Sequence, residues 1–474
     1  MSEYFVKPNL PTILGSQLYH ELLPLDLVFA ISIETVHVVP GEIDTKRFVD
    51  AVSRALSVYP LEAGRFEQPN DTKEKWKIRL TNSAIPVKFL ESEAEAVMPT
   101  DHVIQNKGVF ALVDRVDIAK ILERDSDEPL ARIRLTKFVK LGATAIGFSQ
   151  HHSIGDGITV LNFLRLVSQI YQGLPPLDPS PFYTYSFPGL DTQSAKYPES
   201  SLLTFHLEYP FVVGRPPPIM GKFRGKLARA DCHFSASVIK GVHEAVTSLA
   251  DRNKGKREEE RIMFSKQDTL IALLARTLTK TDPKNPVQYI LNLFMYRGIG
   301  RTPSSAVCNA NLGPITDKFN VDSSHESIES IARYVRRSVN RSRDRDYLEP
   351  LMAKSGRLVE EAAYEGMTMD VAPTNGMMDV NSTWRFDWTS AHFGYPSQTQ
   401  FYHTTLEEQR WIKIVSPNPT RADDDIWKQY PGAAEVTLHL LKEHQTSFKH
   451  SLYEELGALG VGEKPLITFS AVEA

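Results

Sequence analysis

His151-His152-Ser153-Ile154-Gly155-Asp156-Gly157 is the stretch on which the fold turns. Just before it, Thr144 to Ser149 is a short β-prone run. Just after it, Leu161, Leu164, Val167, Ser168 and Tyr171 recur at helical spacing, and Gly173 stands where a helix C-terminus favours glycine. The local order is strand, tight turn, helix. Adjacent histidines leaving a strand point to opposite sides, so one can face a cleft while the other packs or reaches solvent. Gly155 and Gly157 permit a tight backbone that brings Asp156 back towards the turn. A histidine held there can serve as a general base, because an ordinary pKa of ~6.5 leaves imidazole largely neutral at pH 7. Two other readings stand beside this one. The turn can be polar with a structural histidine, or His and Asp four apart can share a metal, although the glycines oppose the helix that a metal pair needs.

Working outward, Ile31 to Val39 reads as a strand, followed by a helix with Phe48, Val52, Ala55, Leu56 and Tyr59 on one face. Asp44 can cap that helix and Pro60 stops it. Residues 171–220 hold ten of the chain's 30 prolines, including Pro216-Pro217-Pro218, and read as a long crossover. A second half opens with a strand at Cys232 to Phe234 and helices at Val238 to Leu249, Asp268 to Leu278 and Ile328 to Val339. No internal repeat of solenoid type is visible.

Composition narrows the function classes. The 474 residues suffice for two hydrophobic cores, and 42% hydrophobic with 24% charged residues is ordinary globular usage. Lys and Arg number 54 against 58 Asp and Glu, so a net charge of -4 offers no basic field for nucleic acid or anionic lipid. Two cysteines, Cys232 and Cys308, exclude a disulfide framework and a four-thiolate zinc site. The N-terminus shows no signal peptide and no apolar run reaches the ~20 residues of a membrane span. The expectation is a cytoplasmic, metal-free monomer. His439, His444 and His450, if placed on one helix, do not converge: five- and six-residue steps rotate by about 140° and 240°. Gly147-x-Ser149 begins like a nucleophile elbow, but His151 replaces its last glycine, and Gly298-Ile299-Gly300 is too short for a dinucleotide fingerprint.

Four further segments carry a family resemblance. Tyr59-Pro60-Leu61-Glu62-Ala63-Gly64-Arg65 resembles the Y-P-L-x-A-G-R stretch of BAHD-type acyl-CoA-dependent acyltransferases, and His152 to Gly157 fits their H-x-x-x-D-G motif. Asn292 to Asn311, with Arg297, Arg301, Pro303 and Asn309-Ala310, resembles their Arg-rich strand and G-N-A turn, with Cys308 in place of the glycine. Ser382-x-Trp384 and then His392-Phe393-Gly394-Tyr395 stand where the family has S-W and D-F-G-W-G. The order is kept over nearly the whole chain.

The resemblance implies an α/β fold of two chloramphenicol-acetyltransferase-like domains, each a mixed sheet with helices, with an active-site tunnel between them. The N-terminal domain would be 1–170, the crossover 171–222 and the C-terminal domain 223–474. It implies that His152 is the catalytic base, that acyl-CoA is the co-substrate, and that Asp156 and Gly157 support the turn, with Arg297 or Arg301 paired to Asp156. Trp384, His392, Phe393, Gly394 and Tyr395 would line the tunnel, the 393–395 segment being a candidate oxyanion donor. His392, replacing the family's acid, would face Arg297 or Arg301 and stay neutral. The implied activity is acyl transfer to a hydroxyl or amine of a small specialised metabolite. A doubled His-His-x-x-x-Asp-Gly also marks condensation domains, which need carrier-bound acyl groups, and no carrier or adenylation region adjoins the motif. The changed His392 segment also allows a non-acylating descendant that binds or cyclises a metabolite. Six arginines from Arg333 to Arg345 read as a salt-bridged helix face, with a CoA phosphate contact as the alternative.

Overall fold

The computed structural model describes the chain except residues 1, 13–17, 28–30, 72–73, 177–179, 184–186, 188–205, 211–224, 253–261, 320–326, 365–366, 371–375, 422–425 and 473–474. Most of the proline-rich crossover and the charged run at Lys254, Lys256 and Arg257 to Glu260 lie outside the described residues.

Strand Ala143–His151 is buried along eight of its nine residues, which demands cover on both faces and partners on both edges. It pairs antiparallel with Ala131–Phe138 and with Ser32–Val39. The sheet so centred runs Ser2–Val6, Ile85–Ser92, Ala131–Phe138, Ala143–His151, Ser32–Val39, Gln400–His403, with one parallel pair between Ile85–Ser92 and Ala131–Phe138. Its last strand comes from far along the chain. A second six-stranded sheet runs Tyr289–Asn292, Met377–Ser382, Trp411–Val415, Ala434–Leu441, Leu227–Phe234, Leu466–Ala471. The first three of these strands are parallel and the others antiparallel. Both sheets are therefore mixed.

Helix Thr45–Val58 buries Phe48, Ala51, Val52, Ala55 and Leu56, a single stripe at helical spacing, and is started by Asp44, which accepts from the Arg47 N–H at 2.7 Å. With helix Gly157–Gln172 it closes the core of the first sheet. Helix Lys266–Thr281 opens on a reciprocal Ser265–Asp268 capping box and fills the second core, flanked by Ala236–Arg252, Ile328–Arg343 and Gln445–Ala458. The four later helices run longer than the sequence pattern suggests, because their end turns extend past the apolar stripe, whereas the first ends at Val58, one residue short of Tyr59. Residues beyond 223, among them Ala310, Leu351, Trp388 and Phe393, also enter the first core. His439 is on a strand, His444 in a short 3-10 turn and His450 on a helix, so the one-helix geometry considered for them does not arise. No described helix is long and apolar enough to cross a membrane.

Candidate active site

The strand ending at His151 leads into a 3-10 turn, His152–Ile154, and then into helix Gly157–Gln172. Gly155 takes φ 147, a region that a side chain resists, and so permits the reversal. Gly157 is simply the first helical residue, so only Gly155 is needed for the tight backbone. His151 is fully buried: its Nδ1 accepts from the Ser153 hydroxyl at 2.7 Å, and its ring lies 5.9 Å from Phe66. His152 points the other way, onto the wall of a cavity of about 480 Å³. The two neighbours split as strand alternation requires.

Asp156 holds this turn in place. Its Oδ1 caps the helix, accepting from the Ile158 and Thr159 N–H groups at 3.1 and 3.3 Å. Oδ2 accepts from the Arg297 guanidinium at 2.6 Å, from the Ala310 N–H at 3.1 Å and from Asn311 Nδ2 at 2.8 Å. Burial alone would raise the carboxyl's pKa, but Arg297 and these donors hold it below the usual range. Arg297 also donates to the Ala306 and Cys308 carbonyls, at 2.9 and 2.6 Å, so the ion pair binds the turn to the 306–311 segment. That segment returns the contact: Asn309 Nδ2 donates to the His152 carbonyl at 2.8 Å. Asn309 is itself fixed by buried Asp26, whose Oδ1 accepts its N–H at 2.6 Å and whose pKa burial pushes up to about 7.

His152 Nδ1 is enclosed with no hydrogen-bond partner among the described residues. Burial lowers the pKa of the ring; Asp156, its own carbonyl and Asn309 oppose this, and Lys413 adds to the lowering. The imidazole is thus neutral and able to accept a proton at pH 7.

The facing wall comes from the second sheet, where alternation divides each strand between core and cavity. Met378, Val380, Ile412 and Ile414 enter the second core, whereas Met377, Asp379, Asn381, Trp411 and Lys413 line the cavity. His403 lines it too, from the last strand of the first sheet. A carbonyl can only accept, so His403 donates from Nδ1 to the Glu34 carbonyl at 2.9 Å. Burial, then Lys413, pushes the His403 pKa down to about 3. Asp26, Asp379, Asn381, His403 and Lys413 were not singled out from sequence. The only available signal was the D-x-N and W-x-K alternation of two short strands, which any half-exposed strand also shows.

Several expected site residues lie elsewhere. Arg301 does not reach Asp156; it is half exposed and its Nε lies 3.5 Å from Glu349. Trp384 does not line the cavity, because its Nε1 donates to the Ala433 carbonyl at 2.7 Å and its ring packs against the second core. Trp388 takes that place, stacked on Phe401 with ring centroids 4.2 Å apart. His392, Phe393, Gly394 and Tyr395 are also off the cavity wall, with Phe393 inside the first core beside Phe48 and Tyr171. The N–H groups of the 393–395 segment are already used: Phe393 donates to Ser168 Oγ at 2.8 Å, Gly394 to His392 Nδ1 at 3.2 Å and Tyr395 to the His392 carbonyl at 2.8 Å. None is left for an oxyanion. His392 does have a lowered pKa, but the cause is burial, and the charged group near it is Asp387, not an arginine. Four of the six arginines are in ion pairs: Arg333 with Glu329 on its own helix, Arg336 with Asp268 on helix Lys266–Thr281, Arg341 with Asp317, and Arg345 with Glu349 on the next helix. Among the described residues, no group of three His, Cys, Asp or Glu side chains is placed to hold a metal.

The arrangement of two mixed sheets with helices is shared by solved structures. Vinorine synthase superposes with a TM-score of 0.60 at 15% identity, covering 96% of this chain and 97% of that one. F. sporotrichioides TRI101 complexed with Coenzyme A and T-2 superposes with a TM-score of 0.60 at 14% identity, covering 94% and 99%. This is the two-domain chloramphenicol-acetyltransferase-like fold. The model described as "Transferase family" matches residues 37–455, and the chain belongs to that family, the BAHD-type acyl-CoA-dependent acyltransferases. Among curated relatives, anthranilate N-benzoyltransferase protein 1 of Dianthus caryophyllus is 23% identical over 434 residues, 87% of this chain and 86% of that one. Rosmarinate synthase of Plectranthus scutellarioides is 28% identical over 183 residues, 37% of this chain and 36% of that one.

Proposed function

We propose that this acyltransferase moves an acyl group from acyl-CoA to a hydroxyl of a small specialised metabolite, with His152 as the general base. The observation that carries this reading is a neutral, cavity-facing imidazole on a turn fixed by a buried ion pair. His152 takes the proton of the acceptor hydroxyl as its oxygen attacks the thioester carbonyl. When the tetrahedral adduct collapses, the C–S bond breaks and the same proton passes to the departing thiolate. Acid–base work of this kind is worth ~10²–10⁴-fold. Asp156 stays ionised and points to Arg297, so its part is to hold the turn while His152 handles the proton.

An amine acceptor fits the same steps, and one relative is named an N-benzoyltransferase. The reading of a non-acylating descendant loses its support, because the altered 392–395 segment does not form the cavity wall. On the reading preferred here the protein acts in the cytoplasm as a monomer, with acyl-CoA and the acceptor as partners. Thiol release from acetyl-CoA and aromatic acyl-CoAs, measured against a panel of alcohols and amines, tests it. Acceptor-dependent release that is lost in His152→Ala supports it, and absence of release with every donor and acceptor pair rejects it.

A further inference from the structure

We propose that Lys413 binds an anionic group, a carboxylate, on the acceptor molecule. The word acceptor rests on the acyl-transfer reading, whereas the anion site does not. Lys413 sits mid-strand, 2% exposed, its side chain on the cavity side while Ile412 and Ile414 on either side of it enter the core. Its ammonium has three N–H donors, and the hydrogen bond recorded for it goes to Asn381 Oδ1 at 3.1 Å, a neutral partner on the adjacent strand. Burying a cation without an opposite charge is unfavourable, and burial pushes this one's pKa down to about 7. Such a group is tolerated where a ligand brings the missing charge.

The other ionisable groups on the wall do not supply it. Glu34 accepts from the Ser32 and Ser149 hydroxyls and lies 3.4 Å from Arg115 Nε. Asp156 is committed to Arg297. Asp379, on the same wall, has an Oδ1 with no partner among the described residues and forms no ion pair with Lys413; burial raises its pKa well above the usual range, and burial is likewise the cause of the Lys413 shift. His152 and His403 are held neutral by burial. All three residues line the same cavity, so Lys413 stands on the wall of the space that His152 faces. The thioester of an acyl-CoA is uncharged, and its phosphates lie at the far end of the pantetheine arm. The anion is therefore assigned to the acceptor.

The probes are benzoate, benzamide and adenosine 3′,5′-bisphosphate, titrated calorimetrically into the full-length protein without acyl-CoA. Benzoate should bind and benzamide should bind roughly 10- to 100-fold more weakly, the range set by one charge-assisted hydrogen bond. Lys413→Met should remove the preference and Lys413→Arg should keep it. At about pH 8, above the lowered lysine pKa, benzoate should be bound with proton uptake, seen as buffer-dependent heat, and benzamide without it. This last result needs only the wild-type protein, so it stands even if a variant fails to fold. Equal affinity for benzoate and benzamide, unchanged benzoate affinity in Lys413→Met, or no proton uptake would each overturn the proposal. Displacement of benzoate by the bisphosphate would assign the site to CoA's phosphates and overturn it as well. None of these readouts involves acyl transfer, so failure here and failure of the proposed function are separable.

Discussion

Asp156→Asn tests how the catalytic turn is held. Asparagine is as good an N-cap as aspartate, so the bonds from the Ile158 and Thr159 N–H groups can be kept. What is lost is the charge facing Arg297, whose side chain is 3% exposed. The new amide must either turn its NH₂ towards the guanidinium, the Ala310 N–H and Asn311 together, or keep its oxygen there and give up the Ile158 and Thr159 bonds. Leaving one partner of a buried ion pair uncompensated costs about 3–5 kcal/mol. The melting temperature should fall by several degrees, with activity falling alongside as the turn loosens. Adding Arg297→Met removes the stranded cation, so the double variant should be more stable than the sum of the two single losses by well over ~0.5 kcal/mol, the limit for independent sites. Differential scanning calorimetry of the four proteins measures this, with melting temperature used as a ranking because a chain with two cores need not unfold in one step. A fully stable but inactive Asp156→Asn, or strict additivity with Arg297→Met, would refute the structural role and point to direct catalysis by Asp156.

Gly155→Ala should destabilise by about 1–3 kcal/mol, since at φ 147 its Cβ would also lie 2.5 Å from Thr159. Gly157→Ala should be near neutral in a melt, its Cβ 3.4 Å from Trp388 at the start of a helix. Arg301→Ala should change stability by no more than about 1 kcal/mol and leave turnover intact, because Arg301 is half exposed and Glu349 keeps its pairing with Arg345; a loss resembling that of Arg297→Met would be inconsistent with the observed pairing. Burial lowers the His37 and His439 pKa values from 6.5 to about 4. The unfolded chain therefore binds the extra protons first, so stability is full above pH 6.5 and falls as pH drops towards 4, by roughly 3 kcal/mol per group. Melting temperatures that stay flat across that window would contradict the neutral burial of both rings.

The parts of the site legible in the sequence are local ones. Strand, turn and helix around His152 follow from alternation, glycine and helical spacing within thirty residues, and the capping role of Asp44 needs only the next turn of helix, whereas the cap that Asp156 makes was not read from the sequence. The choice between Arg297 and Arg301 was not legible, because it depends on how Phe294–Met295 pairs with Asn311–Leu312 and brings the 306–311 segment across the turn. The cavity's second wall was less legible still. Asp379 and Lys413 alternate with core residues as solvent-facing positions would, and only the packing of two sheets makes their side a cavity. The family resemblance misled at the 392–395 segment: in place of the expected tunnel wall there is a brace in which buried Phe393 fastens to Ser168 on the helix that follows the catalytic turn.

The claim that His152 moves the proton is tested most directly by acceptor-dependent thiol release in His152→Ala, with the melting temperature recorded on the same sample. Turnover should fall by ~10²–10⁴-fold, with little change in melting temperature, because the side chain faces a cavity and leaves no core contact unfilled. His151→Ala should do the reverse and lower the melting temperature, since that ring is wholly buried against Phe66. Turnover in a folded His152→Ala within tenfold of wild type would contradict the assignment of His152 as the base.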